Sequence, residues 1–152
     1  MASVFQKLNL RDQKEIVVLN APESFEDELA GLRDVAIRRA LTGVKQIEFS
    51  LAFVTRQSEV DAFARSIGVK ASGDPVVWFA YPKGSSKNYK CEFNRDTGWD
   101  AVGKQGLEPV RMVAIDEDWS ALRFRRVEFI KNLTRGRAVS PQAKARLTRA
   151  KK

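Results

Sequence analysis

PVRMVAIDEDWSALRFRRVEF, residues 109–129, decides the fold. Its halves, PVRMVAIDEDW and ALRFRRVEF, read as two strands joined around Ser120. The connection between them, 115–122, is too short for a crossover, so the pair is expected to form an antiparallel hairpin at a sheet edge. In the second half Leu122, Phe124 and Arg126 alternate, whereas Val127 and Phe129 fall on the other parity, which leaves the register open after residue 125.

Upstream the spacing changes. DPVVWFAYP (74–82) is the most apolar strand, bracketed by Pro75 and Pro82. IEFSLAFVT (47–55) reads as another, and EIVVLNAPESF (15–25) opens with a β-branched run that stops at Asn20-Ala21-Pro22. Val35 to Arg38 supplies a short strand between these two. Helix-length segments separate the strands. Ser24 is placed to cap a helix through Leu32, with Glu26, Asp27 and Glu28 in a first turn whose dipole favours anions. Ser58 to Ile67 sets Val60, Phe63, Ala64 and Ile67 on one helical face, and a third helix is expected from Asp96 to Lys104. Strands joined through helices predict right-handed crossovers and a mostly parallel Rossmann-like α/β sheet, covered by helices on both faces and closed by the C-terminal antiparallel hairpin. The expected spatial order is 2-1-3-4-6-5, with the sixth strand antiparallel. The sequence shows no internal repeat.

The chain has 152 residues, 43% of them apolar, with nine Phe and three Trp, which is enough to bury one core without disulfides. Residues 1–130 are expected to be a single α/β domain. Cys91 is the only cysteine, a composition that fits a reducing, cytoplasmic compartment. The opening MASVFQKLNLRDQKE has no signal-peptide character, and no run approaches the roughly 18 apolar residues of a membrane helix, so no membrane partner is expected.

The net charge of +8 is not spread along the chain. Lys and Arg balance Asp and Glu through residue 130, whereas 131–152 carry Lys131, Arg135, Arg137, Lys144, Arg146, Arg149, Lys151 and Lys152 with no acid. With few apolar groups to offset ordering entropy, 131–152 are expected to be a disordered basic tail, with a transient helix capped at Ser140-Pro141. Such a tail suits weak, nonspecific nucleic-acid binding through phosphate neutralisation.

There is no histidine. That excludes a Ser-His-Asp triad, a Cys-His pair and any imidazole metal ligand within this chain, and it leaves acid-base chemistry to Asp, Glu, Lys, Tyr or Cys91. Cys91 follows Lys90, which would lower its thiol pKa if the group were exposed.

The segments LNAPESF, LAFVT, VWFAYPKGSSK and VAIDEDWSALRFRR resemble a bacterial domain-of-unknown-function family of small uncharacterised proteins, across roughly residues 5–130. The YPKGSS and AIDEDWSALRF signatures carry that resemblance. It implies a strand order similar to that of Rossmann-like methyltransferases, and it implies no activity and no cofactor. A cofactor of that class sits against a glycine-rich turn after the first strand, where this chain has Asn20-Ala21-Pro22-Glu23. Alanine and proline side chains obstruct close backbone approach there.

In open α/β sheets ligands bind beyond the carboxyl ends of the parallel strands. That rule is expected to bring Asn20–Glu23, Thr55–Gln57, Tyr81–Ser86 and Asp116–Trp119 onto one rim. Gly84 permits close approach, while Lys83, Ser85 and Ser86 offer donors to an anionic or nucleotide-like small molecule, with Asp116 and Trp119 beside them. The spacing is not that of a phosphate-binding GxxxxGK[ST] loop. Asp116, Glu117 and Asp118 offer oxygen ligands or a general base, or else pair with Arg123 or Arg125 and hold a turn through Asp118. No metal site is expected from histidine or cysteine. Trp99 and Trp119 are candidates to line a cleft, and Trp78 is assigned to the core.

Three function classes stay open. The preferred one is a noncatalytic or regulatory ligand-binding domain with a degenerate methyltransferase-like fold. The others are an enzyme using Lys83 with the Asp116/Glu117/Asp118 cluster, and a nucleic-acid-associated protein acting through its basic tail.

Overall fold

The structure, a computed structural model, describes residues 4–93 and 97–130. Its strands are β1 (Glu15–Leu19), β2 (Ala36–Arg38), β3 (Phe49–Phe53), β4 (Val76–Pro82), β5 (Leu107–Ala114) and β6 (Trp119–Arg126). Its α-helices are α1 (Val4–Lys7), α2 (Glu26–Ala30), α3 (Gln57–Gly68) and α4 (Asp100–Gly103), with single 3₁₀ turns at Glu23–Phe25 and Val127–Phe129. The strands form one sheet in the order β2-β1-β3-β4-β6-β5. β2, β1, β3 and β4 are mutually parallel, and β6 runs antiparallel to both of its neighbours, β4 and β5. Both the order and the antiparallel sixth strand are those expected from the connection lengths.

Burial explains why the central strands are continuously apolar. Every residue of β3 and β4 is buried. On one face Val17, Ala52, Val77, Phe79 and Phe124 pack under Val60, Ala64 and Ile67 of α3 and Val102 of α4. On the other, Ile16, Val18, Phe49, Leu51 and Trp78 pack under Val4 and Phe5 of α1 and under Phe25 and Leu29. Each large side chain so buried stabilises the fold by roughly 1.5–3 kcal/mol. Trp78 is fully buried, and its Nε1 donates to the carbonyl of Leu8 at 2.7 Å, so the indole enters the core without an orphaned donor.

Several local expectations shift. The hairpin does not turn around Ser120, which lies inside β6 opposite Ala114. It turns at 115–118, because the Asp116 carboxylate accepts the backbone N–H groups of Asp118 and Trp119 at 2.8 and 2.9 Å. The second strand stops at Arg126, and Val127–Phe129 form a 3₁₀ turn that buries Val127, which resolves the parity change after residue 125. Ser24 does not cap a helix. It lies inside the 3₁₀ turn that begins after Pro22, where the Phe25 N–H donates to the Pro22 carbonyl at 2.9 Å. The third helix is one turn, Asp100–Gly103, and Asp96 of the expected span lies outside the described residues. The segment between β2 and β3 holds no helix, although its Val44 and Ile47 enter the core.

Candidate functional site

The strand order reverses between β1 and β3, so the crevice at their carboxyl ends is where this architecture holds ligands. A hydrogen-bond knot closes it. Glu59, in the first turn of α3, accepts the backbone N–H groups of Thr55 and Arg56 at 2.9 and 3.1 Å and faces the Thr55 hydroxyl at 3.3 Å. Its second oxygen accepts the Asn20 side-chain amide at 2.9 Å. Glu59 is thus both the acidic half of a capping box and a bridge from the β3 turn to the β1 turn. Asn20 adopts the left-handed region at φ 58°, a conformation that asparagine tolerates and that a tight turn here would otherwise assign to glycine. At the end of β2 the chain places Arg38, and just after it Arg39, which bind Glu15 and Glu26 respectively.

A second knot gathers the loop after β4 onto the β5–β6 turn. Ser86 Oγ donates to Asp118 at 2.9 Å, and the Asn88 side-chain amide donates to the same carboxylate at 3.1 Å. The Lys83 N–H donates to the Asp118 carbonyl at 2.8 Å, and Ser86 Oγ also accepts the Tyr89 N–H at 3.1 Å. The expected convergence of 83–86 with 116–119 is therefore present. The roles within it divide. Gly84 and Ser85 are exposed and Lys83 is half-buried, and the space beside the Gly84 Cα is open. Ser86 and Asp118 hold the loop, and Asp116 holds the turn.

Trp119 does not form a cleft wall. It is 3% exposed and packs against Phe53 and Tyr89 with ring centres 5.1 and 4.9 Å away, while its Nε1 has no partner. Trp99 is likewise core, 2% exposed among Phe79, Tyr81, Phe93 and Phe124. The acidic cluster does not pair with Arg125, whose guanidinium makes a two-pronged bridge to Asp74 at 2.9 and 2.7 Å. Among the described residues no group of three or more acids or cysteines is arranged to hold a metal ion. Cys91 is half-buried, and burial pushes its thiol above the ordinary range, which opposes the activation expected from Lys90.

Comparison with known proteins bears on the fold. TrmN from Thermus thermophilus superimposes with a TM-score of 0.52 at 10% identity, over 82% of this chain and 47% of that one. This chain has a methyltransferase-like Rossmann fold. It spans about half the length of TrmN. A fibrillarin/Nop5p complex (TM-score 0.48, 8% identity, 77% of this chain and 74% of that one) is also similar. So is N-methyltransferase NodS from Bradyrhizobium japonicum WM9 (0.43, 12%, 80% and 91%). No family model matches the chain, and no curated protein matches it.

Adenosylmethionine, the cofactor such a fold implies, does not fit the crevice described above. The β1 turn carries Ala21 and Pro22 side chains where close backbone approach is needed, and the Glu59 carboxylate, with its four donors, bridges the β1 and β3 turns. Arg38 and Arg39 stand at the carboxyl end of β2, where an acidic residue would hold ribose hydroxyls.

Sequence reasoning missed one concavity. An open cleft of about 500 Å³ runs between α3 and α4, lined by Gln57, Asp61, Arg65, Asp100, Lys104 and Gln105. Its signal was the i, i+4, i+8 series Gln57, Asp61, Arg65 on the polar side of α3. The tail residues Arg135, Arg137, Lys144, Arg146, Arg149, Lys151 and Lys152 lie outside the described residues. Among the described residues no helix is long and apolar enough to cross a membrane.

Proposed function

We propose that this chain is a noncatalytic, regulatory ligand-binding domain with a degenerate methyltransferase-like fold, and that it takes an anionic or nucleotide-like small molecule at Lys83, Gly84 and Ser85. The observation that carries the reading is the Glu59 knot: the crevice that holds a cofactor in this architecture is closed by the chain's own hydrogen bonds. The rim beside it keeps an exposed glycine and serine and a lysine on a loop fixed by Asp118. A fixed loop presents donors with little ordering cost on binding. Two of the acids Asp116, Glu117 and Asp118 already hold backbone and side-chain donors, which favours a binding role over an enzyme using that cluster. Membership of the small bacterial family suggested by YPKGSS and AIDEDWSALRF, a single domain over 1–130 and a cytoplasmic setting belong to the same proposal.

The test is a thermal-shift titration with ATP and AMP on the full chain and on Lys83→Ala. Ligand should raise Tm by mass action in the wild type. The variant should need several-fold more ligand for the same rise, with its ligand-free Tm nearly unchanged because lysine at this position carries little packing. Identical titrations in both proteins remove Lys83 from the site. The 131–152 segment is proposed to add weak, nonspecific nucleic-acid binding. If four to six of its cations meet phosphates on duplex DNA, log K should fall with log salt at a slope of roughly −4 to −5. A chain ending at Ile130 that binds equally well contradicts that role.

A further inference from the structure

The β5–β6 hairpin is polarised. Three acids, Asp116 to Asp118, lie at the turn, and the arginines Arg111, Arg123, Arg125 and Arg126 lie along the strands away from it, with Glu108 the one acid among them. Arg111 stands directly opposite Arg123 across the β5–β6 ladder, and Arg123 in turn faces Trp78 across β4. Arg125 shares their face two residues on. Like charges directly opposite one another on a sheet are destabilising.

The carboxylates nearby do not resolve this. Asp74 accepts both prongs of Arg125, and buried Glu108 stands opposite Arg125, not opposite Arg123. Among the described residues neither Arg111 nor Arg123 has a carboxylate within ion-pair distance, and the Nε of Arg123 is buried with no hydrogen-bond partner. A buried, unpaired guanidinium N–H is costly and native structures seldom keep one without a reason. Burial lowers the affinity of Arg123 for its proton, and repulsion from Arg125 and Arg111 adds to this against the attraction of Asp74. An arginine does not relieve such crowding by losing its proton near neutral pH.

We propose that Arg111 and Arg123 form a phosphate-binding pair, whose ligand is a phosphoryl group held between two guanidinium forks on the open face of the hairpin. A phosphate dianion supplies acceptors to the terminal guanidinium nitrogens of both arginines and cancels the repulsion between them. Arg111 is exposed on the edge strand, so the approach is open. The site is distinct from Lys83: β4 separates them, with Arg123 paired to Trp78 in mid-strand and Lys83 following Pro82 at the carboxyl end. The chain leaves this end of the hairpin toward 131–152, whose eight cations and lack of acids extend the same charge preference.

The test uses the full chain with inorganic phosphate, at ionic strength held constant with chloride, and separately with a labelled single-stranded RNA at two salt concentrations. Two variants are compared, Arg111→Gln and Arg111→Glu, with exposed Lys45→Ala as the control. Phosphate should raise the Tm of the wild type and of Lys45→Ala, and should do so at least five-fold less effectively in Arg111→Gln. Arg111→Glu places a carboxylate opposite Arg123; it should start with a higher Tm than the wild type and gain nothing from phosphate. RNA affinity that falls in Arg111→Gln, with the salt slope reduced by about one, identifies a polymer backbone as the source of the phosphate. A phosphate response without RNA binding identifies a free phosphate or small phosphoester. A wild type that answers neither probe, or variants that answer both as the wild type does, overturns the proposal.

Discussion

Two carboxylates organise the carboxyl edge of this sheet, and they do so to different ends. Glu59 draws together the turns after β1 and β3, accepting from two backbone N–H groups and from the Asn20 side chain. Asp118 draws the loop after β4 onto the hairpin turn through Ser86 and Asn88. At the first, the Asn20, Thr55 and Arg56 donors are engaged by the chain's own carboxylate. At the second, the loop is held by its ends while Lys83, Gly84 and Ser85 stay on the surface between them. One fold thus carries a closed site next to an open one, and the difference lies in whether the organising carboxylate sits inside the crevice or behind the loop.

The largest effect should come from the aromatic under the open rim. Trp119→Ala removes the ring that supports both Phe53 and Tyr89 and should destabilise the fold by about 3–5 kcal/mol in denaturant unfolding. Trp119→Phe should cost clearly less than Trp78→Phe, because the Trp78 Nε1–Leu8 hydrogen bond is lost in one and only an unpartnered N–H disappears in the other. Equal costs would mean that the Trp119 donor is satisfied in solution.

Next comes the closed site. Glu59→Ala removes the helix cap and the bridge to Asn20, and should cost about 2 kcal/mol. Asp118→Ala should cost about half as much, roughly 1 kcal/mol, since its partners Ser86 and Asn88 are close to solvent. Its amide-exchange effect should be confined to the 83–89 loop. A reversed ranking would show that the rim, not the crevice, is the better-built part of the edge.

The smallest effect is electrostatic. The Arg125 guanidinium holds the Asp74 carboxyl below the ordinary carboxylate range, so the pair contributes stability that is present above the unfolded value and lost as pH falls through the lower folded one. Both side chains are about one-third exposed, so the contribution should stay under about 1 kcal/mol. Arg125→Gln should flatten the acid limb of the stability profile below the unperturbed Asp range near pH ~3.9, and an unchanged limb would show that the bridge is absent in solution.

The strand order was readable because it depends on chain length between strands, and the 115–118 link admits only a hairpin. The positions of the turn and of helix starts depend on which short polar side chain captures a free backbone N–H. Asp116 took that role where Ser120 was expected, and Pro22 displaced Ser24. The convergence of 83–86 with 116–119 followed from topology alone. Glu59 was not legible as part of the site, because in sequence it is one acid among several on the polar side of a helix, and only the fold brings Asn20 to it from 39 residues away. The burial of Trp119 likewise depends on Phe53 and Tyr89, which come from other elements.

The central claim, that the crevice between β1 and β3 is closed to the cofactor this architecture implies, is tested most directly by isothermal titration of S-adenosylmethionine into the full chain at millimolar concentration. The closed crevice predicts no saturable heat above that of dilution. A clear binding isotherm in the wild type that is lost when Asn20 or Ala21 is replaced by a bulkier residue would contradict it, and would return the β1 turn to service as a cofactor site.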